Sequence, residues 1–160
     1  MAFMFNSKQP FINRMKKNTH PAHAPCPCDS GLPYAQCCGP FHASIRNAAL
    51  DQLPDGPLAP TPEALMRSRY SAYALGLIDY LLATWHGSTS PGELALYPTK
   101  WLGLEIRHAA STDDAGVVEF VARMRVDGRA QRLHETSRFV REAGTWYYID
   151  GQIQTTDQSR

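Results

Sequence analysis

The sequence of 160 residues has no uninterrupted apolar run long enough to cross a bilayer, so no membrane-spanning helix is expected within it. Charge of one sign is also missing. Sixteen Lys and Arg against fifteen Asp and Glu leave a formal net charge of +1, and no global field draws nucleic acid or anionic lipid to the chain. There is no Gly-rich phosphate loop, no Walker lysine and no Ser-His-Asp arrangement, which removes the common nucleotide-hydrolysing and triad-hydrolase signatures. Internal repeats are absent. The apolar stretches before residue 25 are broken by Asn6, Lys8, Pro10 and Asn13, so no secretory signal is expected and the protein is placed in the cytoplasm. Cysteine is missing everywhere except between residues 26 and 38.

What remains is concentrated in that stretch, C-P-C-D-S-G-L-P-Y-A-Q-C-C. Asp29, Ser30 and Gly31 form a turn cluster, because Asp and Ser bond nearby backbone N–H groups and Gly tolerates positive φ. Folding the octapeptide back brings all four sulfurs toward one small sphere. An all-cysteine tetrahedral site suits zinc, and Cys26, Cys28, Cys37 and Cys38 are read as its ligands. Disulfides and unpaired thiols are the alternatives. Of the three possible pairings, one joins the neighbours Cys37 and Cys38 and another needs two short crossed loops. His20 and His23 lie just upstream, but four cysteines leave them no coordination position.

The segment CPCDSGLPYAQCCG resembles the SEC-C motif, a zinc-binding module found in the tail of the SecA preprotein translocase motor. There the last ligand is often His, where this chain has Cys38. Two later stretches, LMRSRYSAYALGLIDYLLATWH (65–86) and HETSRFVREAGTWYYIDG (134–151), extend the likeness. Together the three resemble the YchJ family of small bacterial proteins, which join a SEC-C motif to a nuclear-transport-factor-2-like domain. The resemblance implies a zinc cofactor, a cone-shaped domain, and protein or ribosome contact through the knuckle.

The remaining pattern fits an α+β domain. Thr61-Pro62-Glu63 is a helix start, with Thr as cap, Pro at the first position and Glu at the positive end of the dipole. Met66, Tyr70, Tyr73 and Leu77 make one apolar stripe that ends near Gly76. A second helix is expected from Ile78 or Asp79 to Gly87, with Leu81, Leu82 and Trp85 inward. Ser90 to Glu93 is read as a short helix or a turn. Beyond Lys100 the period becomes two. Leu102, Leu104 and Ile106 alternate with polar neighbours, as do Val118, Phe120, Ala122, Met124 and Val126. Asp127-Gly128 and Glu142-Ala143-Gly144 are turns of a meander. Helices followed by an antiparallel sheet agree with the cone that the resemblance implies. The expected divisions are a disordered tail (1–24), the zinc knuckle (25–42), a proline-rich linker (43–60), the cone (61–154) and a second tail (155–160).

Within the cone, Arg69, Tyr73, His86, His134, Glu135 and Arg138 are the polar groups that could converge. Arg69, Tyr73 and His134 form a candidate ligand site, with Arg69 clamping a carboxylate. His134 and Glu135 point to opposite faces and cannot act as a dyad. Arg69 has a structural alternative, stacking on aromatic rings while bonding helix carbonyls or a core carboxylate such as Glu135 or Asp150. No catalytic residue is assigned. The leading reading is a zinc-stabilised adaptor whose knuckle binds a protein or the ribosome; the runner-up is a dehydratase- or isomerase-like enzyme using the cone pocket. A third, metal storage, is disfavoured by a single closed site. Arg123, Arg125, Arg129, Arg132 and Arg138 make a basic hairpin face that could touch RNA, with a solvated exterior as its default. A homodimer through the curved sheet completes the partner list.

Overall fold

Thr61 starts the helix around which the domain packs: its Oγ1 accepts from the Ala64 N–H at 3.1 Å. In the computed structural model, which describes residues 19–46 and 56–154, helix α2 runs Pro62–Leu75. It stops at Gly76, whose φ of 71° lets the Leu77 N–H return to the Ala72 carbonyl at 2.8 Å. Both ends agree with the sequence reading. Most of the expected first tail, the middle of the expected linker and the second tail, residues 1–18, 47–55 and 155–160, lie outside the described residues, while residues 19–24 of the expected tail are described and bond the knuckle through the Ala22 and Ala24 carbonyls.

Ahead of α2 come a 3₁₀ turn (Tyr34–Gln36) and helix α1 (Gly39–Arg46). Helix α3 spans only Ile78–Ala83 and so ends well before the expected stop at Gly87. Pairing with the sheet takes the chain away. His86 N–H bonds the Tyr148 carbonyl at 2.8 Å and Tyr148 N–H bonds the Thr84 carbonyl at 2.9 Å, so backbone groups that would extend the helix are claimed by a strand. Residues 91–98 contain no helix.

Four antiparallel strands follow in spatial order β1-β2-β3-β4: Thr99–Ser111, Ala115–Val126, Arg129–Glu142 and Thr145–Ile153. The tip between β2 and β3 is Asp127-Gly128, both at positive φ (49° and 76°), which suits the right-handed twist of a tight hairpin. Val118, Phe120, Ala122 and Met124 face inward as expected and are buried. Leu102 does not: a bulge between Trp101 and Gly103 inserts it as an extra residue, and it ends 49% exposed.

The inner face of the sheet packs on α2. Leu65, Met66, Tyr70 and Tyr73 meet Leu104, Phe120, Met124, Phe139 and Tyr148 in one core, with Trp85 and Trp146 also buried. Tyr70 and Tyr73 lie against the Trp101 ring, at centroid distances of 5.2 and 5.9 Å. Among the described residues the opposite face of the sheet has charged pairs and no helical cover. Among the described residues no helix is long and apolar enough to cross a membrane.

Candidate metal centre and the interior of the cone

The turn that gathers the sulfurs is built from backbone bonds. Cys26 N–H bonds the Leu32 carbonyl at 2.9 Å, Tyr34 N–H bonds the Ala24 carbonyl at 2.9 Å, and Asp29 and Gly31 take positive φ to reverse the chain between them. Cys37 N–H then bonds the Tyr34 carbonyl at 3.1 Å, which turns the second cysteine pair toward the first. All four Sγ atoms lie within 4.8 Å of one another. Cys28 to Cys37 is 3.5 Å and Cys37 to Cys38 is 3.8 Å. Four sulfurs at about 2.3 Å from a tetrahedral zinc are about 3.8 Å apart, so the donor set fits such an ion in type and in spacing. No pair is bonded as a disulfide.

On their own these sulfurs cannot all ionise. Hydrogen bonding from Cys28 and then Cys38 holds the Cys26 thiol far below the ordinary thiol range. Its bond to Cys26 pushes Cys28 up to about 11, and the same interaction together with burial drives Cys38 higher still. A divalent cation reverses that balance, because it favours thiolate at every ligand. His20 and His23 are not part of the cluster; His20 Nε2 lies 3.1 Å from the Pro25 carbonyl.

Expected as a separate head on a linker, the knuckle instead packs directly against α2. Cys26 Sγ lies 3.6 Å from Ser71 Oγ, and Arg67 Nη1 donates to the Cys28 carbonyl at 3.2 Å. His42, buried on α1, bonds the Ser68 carbonyl through Nε2 at 2.8 Å, which fixes the proton there and leaves Nδ1 to accept from Tyr34 O–H at 2.7 Å. Its ring meets Tyr80 edge-on at 4.5 Å. Arg67, Ser68 and Ser71 share one face of α2 by their i, i+3 and i+4 spacing. His42 was not among the expected site residues. Its signal is its place on a helix four residues past Cys38.

Another face of α2 carries Arg69 and Tyr73 into the cone. Arg69 is fully buried, with Nη1 donating to the Leu81 carbonyl and to Thr84 Oγ1, each at 2.8 Å. Its guanidinium carbon lies 4.5 Å from the Tyr148 ring centroid and 5.1 Å from that of Trp85. Burial lowers its pKa, while Tyr73, Tyr148, Tyr80 and Glu135 oppose the shift. Burial raises the Tyr73 hydroxyl. Glu135 is buried and accepts from Ser137 Oγ at 2.8 Å. A Cβ at Gly151 would run into its Oε1.

Arg69 and Tyr73 therefore share the interior, and His134 does not join them. It lies on the other face of β3, with Nε2 2.7 Å from Glu119 Oε1. His86 is held at the rim by Glu142 at 2.9 Å and Ser88 at 2.6 Å. Arg138 pairs with Asp150 on the outer face, Nε to Oδ1 at 2.6 Å.

A four-thiol knuckle docked on a helix-covered meander defines a SEC-C motif joined to a nuclear-transport-factor-2-like domain. Sequence comparison agrees: the SEC-C motif matches residues 24–40, and the family described as "YchJ, middle NTF2-like domain" matches residues 61–151. The chain belongs to the YchJ family. A UPF0225 protein of Chromobacterium violaceum is 54% identical over 144 residues, covering 86% of this chain and 98% of that one. Another from Bordetella pertussis is 50% identical over 143 residues, covering 88% and 100%. The solution structure of a SEC-C motif containing protein from Rhodopseudomonas palustris superposes with a TM-score of 0.66 at 34% identity, covering 82% of this chain and 100% of that one. A crystal structure of a SEC-C motif containing protein from Psychrobacter arcticus gives 0.64 at 27% identity, covering 84% and 85%.

Proposed function

We propose that the protein is a zinc-stabilised adaptor whose knuckle docks on the ribosome or on a protein associated with it. The observation that carries this reading is the closed quartet of sulfurs held against α2. Four protein ligands leave a metal no vacancy for substrate or water, so its contribution is shape. Cys26, Cys28, Cys37 and Cys38 would hold the zinc, and unbridged thiols suit the reducing cytoplasm. The turn offers a contact. Leu32 at its tip is 48% exposed, and Asp29 of the same turn approaches β1 at Gly103, next to the exposed Leu102.

The dehydratase- or isomerase-like reading needs Arg69 and His134 on one side of the sheet, and they lie on opposite sides. Arg69 lies against two rings and gives Nη1 to two acceptors, while its buried Nε and Nη2 have no hydrogen-bond partner among the described residues. Co-sedimentation with purified ribosomes tests the adaptor. The metal-loaded protein should pellet with them, and Leu32→Asp or Cys37→Ser should weaken that at least tenfold. Binding indifferent to both substitutions would refute it.

A further inference from the structure

The formal charge of the chain is nearly zero, yet one end of the sheet is strongly basic. Lys100, Arg123, Arg125 and Arg132 are exposed at the start of β1 and in the β2–β3 hairpin, with exposed Arg129 at the hairpin tip and exposed Arg107 farther along β1. Strand register sets like against like. Lys100 stands opposite Arg125, and Arg123 stands opposite Arg132. Directly opposed like charges weaken a sheet. Farther along the same face the rule is reversed, where Glu119 meets His134 and Arg138 meets Asp150.

Counter-charge at the basic end is sparse. Glu105 is shared between Arg107 at 2.9 Å and Arg123 at 3.2 Å, and Asp127 accepts from the Tyr97 hydroxyl. The third carboxylate is Asp29 of the knuckle, which approaches at Gly103, the register partner of Arg123. Lys100, Arg125, Arg129 and Arg132 form no ion pair with any described residue.

We propose that this end of the sheet binds the phosphate backbone of folded RNA. Cations repeat about 7 Å apart along a strand and about 4.8 Å apart across strands, a grid suited to a row of phosphates more than to a single anion. Lys100, Arg123, Arg125 and Arg132 of the opposed pairs read charge, while Trp101 is packed against Tyr70 and Tyr73 and the Tyr97 hydroxyl is held by Asp127, so recognition is of backbone charge and without base sequence. The choice of RNA over other polyanions rests on the proposed ribosomal docking, and the basic face lies beside the knuckle that docking uses.

Fluorescence anisotropy with a fluorescein-labelled RNA hairpin and the full-length, metal-loaded protein tests this. Affinity should fall steeply with salt, with a log–log slope of about −3. The double substitution Arg125→Gln and Arg132→Gln should lower affinity at least tenfold and reduce the slope by about 2, while the melting temperature holds or rises because each change relieves a like-charge pair. Arg138→Gln, at the other end of the sheet, should bind as wild type. No salt-dependent binding, an unaffected double variant, or displacement of the RNA by polyglutamate at equal charge would overturn the proposal. Leu32→Asp separates the two ideas. If it still binds the hairpin with wild-type affinity but neither it nor wild type pellets with ribosomes, the docking reading fails and the phosphate site stands.

Discussion

His42 and Ser68 are joined by a 2.8 Å bond from imidazole Nε2 to a helix carbonyl, and through it the cysteine turn and the cone share one packed interior. The bond is buried, and the same imidazole accepts from Tyr34 of the turn and meets the Tyr80 ring of α3 edge-on.

Substituting His42 with Leu should therefore destabilise the whole chain. It leaves the Ser68 carbonyl and the Tyr34 hydroxyl without their present partner in a buried site, a loss of about 1–3 kcal/mol. Urea unfolding would show a lower midpoint with an unchanged slope. A midpoint within error of wild type would mean that the contact is not formed in solution.

Metal removal should be felt equally far from the sulfurs. A ligand present at a thousandfold over its dissociation constant adds about 4 kcal/mol of stability, and the contacts of Cys26 with Ser71 and of Arg67 with Cys28 pass that loss to α2. Calorimetry with a chelator should show one transition moved down as a unit. Two transitions, the larger unmoved, would indicate a knuckle that melts alone.

Arg69 gives a third prediction. Arg69→Ala would strip the two rings of their cation and leave the Leu81 carbonyl facing a void, costing about 3–5 kcal/mol. Arg69→Lys should also be destabilising, since a compact ammonium cannot lie flat between Trp85 and Tyr148. Equilibrium unfolding of both variants checks the ranking, with Ala the worse.

The outer face supplies a pH dependence. Hydrogen bonding to Arg138 lowers the Asp150 carboxyl below its ordinary value. A carboxylate whose folded pKa is depressed stabilises the fold at every pH above its unfolded pKa, and that contribution disappears as pH falls through the folded value. NMR titration should place the Asp150 midpoint below about 3.9, and Arg138→Gln should return it toward that value. The effect on stability should be small, since the pair is solvent-exposed and screened by salt.

Local chemistry made much of this architecture legible. The sulfur cluster could be read because its ligands are neighbours in sequence, and α2 because Thr61, Pro62 and Gly76 mark its ends by their own conformational preferences. Alternation revealed the inward face of β2. The misreadings arise where two distant segments compete for the same backbone. The start of β1 is displaced by a bulge defined only against β2, and α3 is shortened by its pairing to Tyr148. Arg69 was ambiguous for a related reason. A guanidinium beside aromatics is compatible with a clamp or a stack, and the position of Trp85 after the shortened helix decides between them. The place of His42 four residues past Cys38 hints at the site, but its partner lies 26 positions away and nothing in the local pattern names it.

At the far edge of the sheet, Tyr148 gives both its N–H and its carbonyl to the segment from Thr84 to His86. An unpaired border strand is a template on which a foreign strand can add, the first step of ordered aggregation. Clasping β4 at its middle leaves no continuous run of free donors and acceptors for such growth. The three residues that cut α3 short thus also blunt this border of the sheet against strand addition.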